Sequence, residues 1–98
     1  MTQLDHLRQL KERILAIAKS HKAERVYVFG SCARGEETAA SDVDFVAEFK
    51  PRASLFDVVG LEQDIADLLG RPVDVVTLDR LDKGDPFAAN VRRDMVPL

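Results

Sequence analysis

The chain has 98 residues, a hydrophobic fraction of 46%, a charged fraction of 32% and a formal net charge of −3. This length allows one modest core, and this composition is typical of a globular protein rather than a disordered one. The negative balance argues against strong binding of DNA or RNA, because domains that grip nucleic-acid phosphates usually carry a basic patch. A single nucleotide is still compatible, since a metal ion can neutralise its charge.

Cysteine content and hydropathy indicate the cellular compartment of the protein. Cys32 is the one cysteine, so no internal disulfide can form, and the Cys/His spacings of a zinc site are absent. No stretch is typical of a signal peptide, and no apolar run approaches the length of a membrane-spanning helix. We therefore expect a cytoplasmic protein without membrane contact, folded as a single domain over residues 1–98.

The first predicted elements are a helix and a strand. Leucines and isoleucines recur every three or four residues over positions 2 to 20, which predicts an amphipathic helix. Thr2 and Asp5 resemble a capping box at its start. The pattern stops at His21, which we expect to be solvated, and a short strand follows over residues 25 to 29.

A second strand is predicted over residues 42 to 49, after a polar loop over residues 36 to 41. Because successive side chains of a strand alternate between its faces, Asp42 and Asp44 point the same way while the opposite face is apolar. Adjacent carboxylates repel, so this pair stabilises no sheet by itself. Taken alone, the pair is equally compatible with a solvated strand end.

Local signals bound the next helix, which is predicted over residues 55 to 69. Ser54 and Asp57 resemble a capping box before it, and Gly70 stands where a left-handed residue ends a helix. Gly60 lies inside this helix at a cost of roughly 1 kcal/mol relative to alanine.

The last third of the chain completes the predicted fold. A strand over residues 73 to 78 contains Asp74 among valines, and a polar turn over 79 to 84 precedes a helix that Asp85 caps and Pro86 begins. The order helix, strand, strand, helix, strand, helix predicts an α/β (α+β) fold. Its core is a small mixed β-sheet of three or more strands flanked by helices.

Three acids in two of these strands point to metal chemistry. If the second and third strands are neighbours, Asp42, Asp44 and Asp74 converge on one face. Mg²⁺ prefers oxygen ligands, and two such ions can stabilise the attacking and leaving oxygens of a phosphoryl displacement. Asp42 and Asp44 would hold both ions. Asp74 would be a further ligand of the ion on the nucleophile's side and would help to deprotonate the nucleophile. The alternative for Asp74 is a solvated acid on an edge strand.

The turn before the acids is suited to a phosphate. Gly30 lets the backbone approach closely, and Ser31 adds a hydroxyl and a backbone N–H. Arg34 could reach a phosphate, or instead pair with a nearby glutamate. Gly30 and Gly35 have the spacing of a P-loop, but Glu36 stands where that motif requires lysine, which excludes it.

The spacing of Gly30-Ser31 and Asp42-Val43-Asp44 resembles the signature of the DNA polymerase β-type nucleotidyltransferase superfamily. The fuller motif with Ala33-Arg34-Gly35 is similar to the minimal nucleotidyltransferase (MNT) family, whose members are encoded beside HEPN-domain partners. Ser54–Asp57 and Leu69–Val76 extend the likeness. It covers roughly residues 22 to 80 and is strong, since a preset Gly-Ser with two aspartates arises by composition in roughly one such chain per thousand.

The resemblance implies a polymerase β-type nucleotidyltransferase fold and an enzyme that transfers AMP from ATP, with two Mg²⁺ ions, to a hydroxyl. It also implies an antitoxin that attaches AMP to a tyrosine of a HEPN-domain ribonuclease toxin and so silences it. Carried over to this chain, Gly30 and Ser31 bind the triphosphate, and Asp42, Asp44 and Asp74 hold Mg²⁺ and carry the catalysis.

Two other functions are compatible with the sequence. A non-catalytic antitoxin would neutralise its partner by steric occlusion, with acids that are vestigial or only bind nucleotide. An enzyme with a small-molecule or RNA acceptor is disfavoured, because the acidic balance and short chain leave little surface for acceptor binding. Base preference is not predicted, and residues 83 to 98 match the family less well.

Overall fold

A computed structural model describes residues 3–35 and 42–98 of the chain. Within these ranges, no helix combines the length and the apolar character needed to cross a membrane. The helices are α1 (Gln3–Gln9), α2 (Lys11–Ser20), α3 (Gly30–Arg34), α4 (Leu55–Leu69), a 3₁₀ helix (Leu78–Lys83) and α5 (Pro86–Asp94). The strands are β1 (Ala23–Phe29), β2 (Val43–Phe49), β3 (Val73–Thr77) and β4 (Val96–Pro97).

The strands form one mixed sheet in the order β3-β2-β1-β4. β1 runs antiparallel to β2 and β4, whereas β2 and β3 are parallel. The predicted mixed sheet flanked by helices is therefore confirmed. The second and third strands, whose adjacency the sequence left open, are neighbours in it. The parallel pair requires a crossover between its strands, and α4 provides it.

Both faces of the sheet are covered, but not over the same length. Val43, Phe45 and Ala47 of β2 pack into a core with α1, α2 and α4, whereas Val46 packs on the other face with α5 and the 3₁₀ helix. Val46 is fully buried, while Asp44 on the same face is only half-buried. On this face α5 thus covers β2 at Val46 but not at Asp44, so the start of the strand is accessible.

Three local features differ from the sequence-based expectation. The helix predicted over residues 2 to 20 is divided at Leu10, whose N–H donates to the carbonyls of His6 at 3.3 Å and Leu7 at 3.1 Å. These bonds keep the backbone satisfied through the bend, so no glycine or proline marks it. The predicted turn over 79 to 84 is largely a 3₁₀ helix, and β4 was not predicted. Thr2 and the loop 36–41 lie outside the described residues.

His21 is not solvated as expected. Its Nε2 lies 2.7 Å from Oδ2 of Asp64, and its side chain is 22% exposed. A Cβ at Gly60 would lie 2.6 Å from Cε1 of the imidazole ring. The glycine in α4 is therefore explained by the close packing of this ring, which links the end of α2 to α4.

We expect Gly60→Ala to lower the free energy of unfolding by up to about 1 kcal/mol, although alanine alone favours the helix by about 1 kcal/mol. The added methyl group displaces the imidazole of His21 from Asp64 and weakens their hydrogen bond. In a His21→Ala background the same substitution should raise the free energy of unfolding instead. Urea denaturation of the wild type, the two single variants and the double variant measures this coupling. An effect of Gly60→Ala with the same sign in both backgrounds would contradict it.

Candidate active site

Gly30 forms the turn at the end of β1 and begins α3. Its φ of +73° lies in the left-handed region that other residues rarely adopt. A Cβ at this position would lie 2.7 Å from Oδ2 of Asp44. The backbone of the turn is thus pressed against the carboxylate, an approach that only glycine permits without rearrangement.

The acids predicted to work together are brought together by the sheet. Asp44 of β2 lies opposite Asp74 of β3 in the parallel register, and Asp42 lies two residues before Asp44 in the chain. Burial and then the negative charges of Asp74 and Asp42 raise the pKa of Asp44 from 3.8 to about 6. The carboxylates therefore interact electrostatically, with the half-buried Asp44 at the centre and the other two exposed.

The three acids suit a metal ion that binds together with its substrate. Among residues 3–35 and 42–98, no group of three or more acidic, histidine or cysteine side chains is already disposed as a metal centre. Mg²⁺ does not need such a cage, because it commonly binds one or two carboxylates together with substrate phosphates and water. The half-buried Asp44 beside the turn at Gly30 fits this mode. A cation would stabilise the carboxylate that burial first, and then the charges of Asp74 and Asp42, disfavour.

The raised pKa predicts that the Asp44 carboxylate destabilises the metal-free fold at neutral pH. Because the pKa is about 6 in the fold and 3.8 ordinarily, the native state holds this proton more tightly than the unfolded chain. The proton on Asp44 therefore stabilises the fold, fully below pH 3.8, and this stabilisation is lost as the pH rises through 6.

We therefore expect Asp44→Asn to raise the free energy of unfolding by about 1 kcal/mol at neutral pH in EDTA, since solvent screening of the half-exposed carboxylate reduces the energetic effect of its pKa shift. The gain should disappear at the acidic end of the range, where wild-type Asp44 is protonated. Denaturant titrations at several pH values measure it, with Asp67→Asn on the exposed side of α4 as the matched control. A gain that is independent of pH would contradict the electrostatic origin.

The structure places the other predicted nucleotide contacts as follows. Nη1 of Arg34 binds Oδ2 of Asp94 at 2.7 Å, which ties α3 to α5. The expected glutamate partners lie outside the described residues, so the structure supplies a partner that the sequence did not suggest. Ser31 lies in α3, directly after Gly30, and its side chain is outside what the structure describes. Phosphate contacts by Ser31 and Arg34 stay predictions.

Aromatic and basic side chains beside the turn had no role in the sequence-based site. The rings of Phe29 and Phe87 meet edge to face, with centroids 6.3 Å apart and planes at 87°. The guanidinium of Arg80 lies 5.0 Å from the centroid of the Phe87 ring. Only an apolar residue at the start of the last helix could be recognised from sequence, because Phe29 and Phe87 are far apart in the chain.

A cavity of about 630 Å³ lies at the opposite end of the sheet, where β2 and β3 end. Phe49, Leu55, Val58 and Leu78 supply its apolar lining. None of the three acids lines it, so its volume does not mark the candidate site.

Comparison with known proteins identifies the family. The sequence model of the nucleotidyltransferase domain matches residues 7–96, almost the whole chain. The chain belongs to the nucleotidyltransferase family. This confirms the enzyme class predicted from the Gly-Ser turn and the aspartates.

Relatives of this nucleotidyltransferase place it among the minimal members. It is 37% identical over 93 residues to the protein adenylyltransferase MntA of Thermococcus cleftensis, with 87% of this chain and 92% of the relative covered. A solved candidate minimal nucleotidyltransferase is 36% identical, with a TM-score of 0.80 over 100% of this chain and 97% of the other.

A more distant structure shares the fold. The complex of a tri-AMPylated Shewanella oneidensis HEPN toxin with MNT antitoxin has a matching chain with a TM-score of 0.63. That match covers 92% of this nucleotidyltransferase and 69% of the other chain, at 18% identity. This distant match adds only a likeness of fold, whereas the predicted minimal nucleotidyltransferase family is confirmed by the domain model and by the relatives above 30% identity.

Proposed function

We propose that this nucleotidyltransferase is a protein adenylyltransferase that attaches AMP from ATP to a tyrosine of a HEPN-domain toxin and thereby acts as its antitoxin. One observation carries the proposal. The backbone of Gly30 lies against Asp44, and Asp74 lies opposite Asp44 in the sheet, so a phosphate turn and the acids share one site. The name of the Thermococcus cleftensis relative and the AMPylated toxin in the Shewanella oneidensis complex support the acceptor class.

The proposed chemistry assigns a role to each residue. Gly30 and Ser31, with Arg34 nearby, hold the triphosphate at the end of β1. Asp42 and Asp44 would bind Mg²⁺ together with that triphosphate, and Asp74 would complete the site on the acceptor's side. When bound, Mg²⁺ neutralises the phosphate charge and polarises the reacting phosphoryl group.

The bond changes follow from this placement. The acceptor oxygen forms a bond to the α-phosphorus of ATP, while the bond from that phosphorus to the bridging oxygen breaks and pyrophosphate leaves. The proton of the acceptor hydroxyl passes to Asp74, which is exposed at the start of β3 and can release it to water.

The test requires a HEPN-domain gene next to the gene of this chain, and mixes its product with the full chain, ATP and Mg²⁺. Intact-mass spectrometry of the HEPN-domain protein should show the addition of one or more AMP units, and chelation of Mg²⁺ by EDTA should abolish it. Replacement of the modified tyrosine by phenylalanine should prevent the addition. An unmodified partner in the presence of wild-type protein would refute the proposed activity.

A purely steric antitoxin is the second candidate, and one observation favours it. Leu55, Phe56 and Val59 on the outer side of α4 are 76%, 88% and 49% exposed, and exposed apolar groups of this kind often mark protein interfaces. The combined variant Asp42→Asn/Asp44→Asn separates the two functions. If it protects cells from the toxin as well as wild type does, binding alone neutralises the toxin.

A further inference from the structure

Phe87 is held directly beside the proposed triphosphate turn. Its ring packs edge to face on Phe29, the residue that precedes Gly30, with centroids 6.3 Å apart. Phe29 is also the antiparallel register partner of Asp44, so the two side chains share one face of the sheet. Neighbouring strands lie about 5 Å apart. Phe29 therefore links the Phe87 ring to the acid that is proposed to bind the metal and triphosphate.

The same ring is fixed in place but not buried. α5 buries its next apolar residues, Ala88 and Val91, yet Phe87 is 42% exposed. Arg80 lies 5.0 Å from the ring centroid and is itself held by Asp85, with Nη2 to Oδ2 at 2.9 Å. An exposed aromatic ring held by two neighbours is preorganised for a flat apolar partner, because little conformational entropy is lost when the partner binds.

We propose that Phe87 forms the base subsite and that the nucleobase of ATP stacks against its exposed surface. The inference rests on the proposed function, since it takes the triphosphate to lie at Gly30. Stacking reads the π-surface of a base rather than its hydrogen-bonding edge. The subsite should therefore favour purines over pyrimidines and discriminate weakly between adenine and guanine. Phe87 binds and positions the substrate and takes no part in the bond changes.

The simpler reading is that Phe87 only anchors α5 on the sheet through Phe29. The two readings differ in what Phe87 contributes to different ligands. A structural anchor affects every ligand of the turn alike, because it acts through the position of Gly30. A stacking residue affects ligands that carry a base and leaves base-free phosphates alone.

The experiment compares two ligands by calorimetry with the full chain and Mg²⁺. One is α,β-methylene-ATP, which nucleotidyl transfer cannot cleave, and the other is inorganic tripolyphosphate. For Phe87→Ala we expect the Kd of the ATP analogue to rise about tenfold while the Kd of tripolyphosphate is unchanged. Phe56→Ala is the control, because it removes an even more exposed phenylalanine ring, 88% against 42%, near the start of α4, and should change neither value.

Each outcome decides the matter. If Phe87→Ala weakens both ligands equally or neither, Phe87 is not the base subsite, and the proposed function stands. If wild type binds neither ligand, the proposed function fails and this inference fails with it. Phe87→Leu keeps apolar packing on Phe29 and serves if Phe87→Ala does not fold. Phe87→Leu should likewise raise only the Kd of the ATP analogue. An equal change in the Kd of both ligands relative to wild type would overturn the subsite.

Discussion

Asp44→Asn is expected to lower the rate of AMP transfer about a thousandfold, the largest loss of any single acid in the chain. Asp44 is the carboxylate that touches the turn at Gly30 and lies opposite Asp74, so its charge is central to the binding of metal and triphosphate. Loss of a group that stabilises developing charge in a shielded site typically reduces kcat by two to three orders of magnitude, about 10²–10³. The initial rate of AMP addition to the HEPN-domain partner measures the effect.

The control for this experiment is Asp67→Asn, which makes the same chemical change on the exposed side of α4 and should keep full activity. The Asp44 variant is also expected to be more stable than wild type without metal at neutral pH, so its inactivity would not reflect unfolding. Activity close to wild type for Asp44→Asn would remove Asp44 from the catalytic site.

Gly30→Ala is expected to abolish detectable transfer and to lower the free energy of unfolding by about 2–3 kcal/mol. Alanine is strained by about 1–2 kcal/mol at the φ of +73°. Its Cβ would in addition stand 2.7 Å from Oδ2 of Asp44 and displace the turn or the carboxylate. Urea denaturation and the AMP-transfer rate measure the two effects separately.

Gly70→Ala provides the matched control, because Gly70 has a φ of +69° and open space where a Cβ would lie. It should share the backbone strain, unfold at lower urea and keep its activity. The loss caused by Gly30→Ala should be smaller in an Asp44→Ala background than in the wild-type background, since the clash with the carboxylate is then absent. Equal stability losses at Gly30 and Gly70 would show that the contact with Asp44 is unimportant.

Elements with strong signals close in sequence were predicted well. α4 runs from Leu55 to Leu69 as expected, because its two ends depend on contacts within a few residues. The carboxylate of Asp57 accepts the Ser54 N–H at 2.9 Å, and Gly70 adopts the left-handed conformation that ends the helix. At the start of α5, the carboxylate of Asp85 accepts the Ala88 N–H at 2.9 Å, as an N-cap does.

Features that depend on distant partners were not predicted. The bend at Leu10 has no local breaker, and β4 consists of two residues that pair with Tyr27 and Val28 at the sheet edge. The pairing of His21 with Asp64 joins residues 43 apart in sequence. Periodicity and capping signals depend on interactions within one or two helical turns. They therefore do not predict contacts between residues that are far apart in sequence.

The candidate site was likewise determined in two stages. From the sequence alone came the residues Gly30, Asp42, Asp44 and Asp74. Paired carboxylates on one strand face are an unusual choice for a stable sheet, and Gly30 gained weight from its spacing to them. The tertiary structure decided that α4 returns the chain so that β3 pairs in parallel with β2 and Asp74 faces Asp44. It also decided that α5 packs across the sheet and sets Phe87 against Phe29. The physical reason is that side-chain chemistry is local to each residue, whereas its neighbours depend on how the helices bury their apolar faces against the sheet.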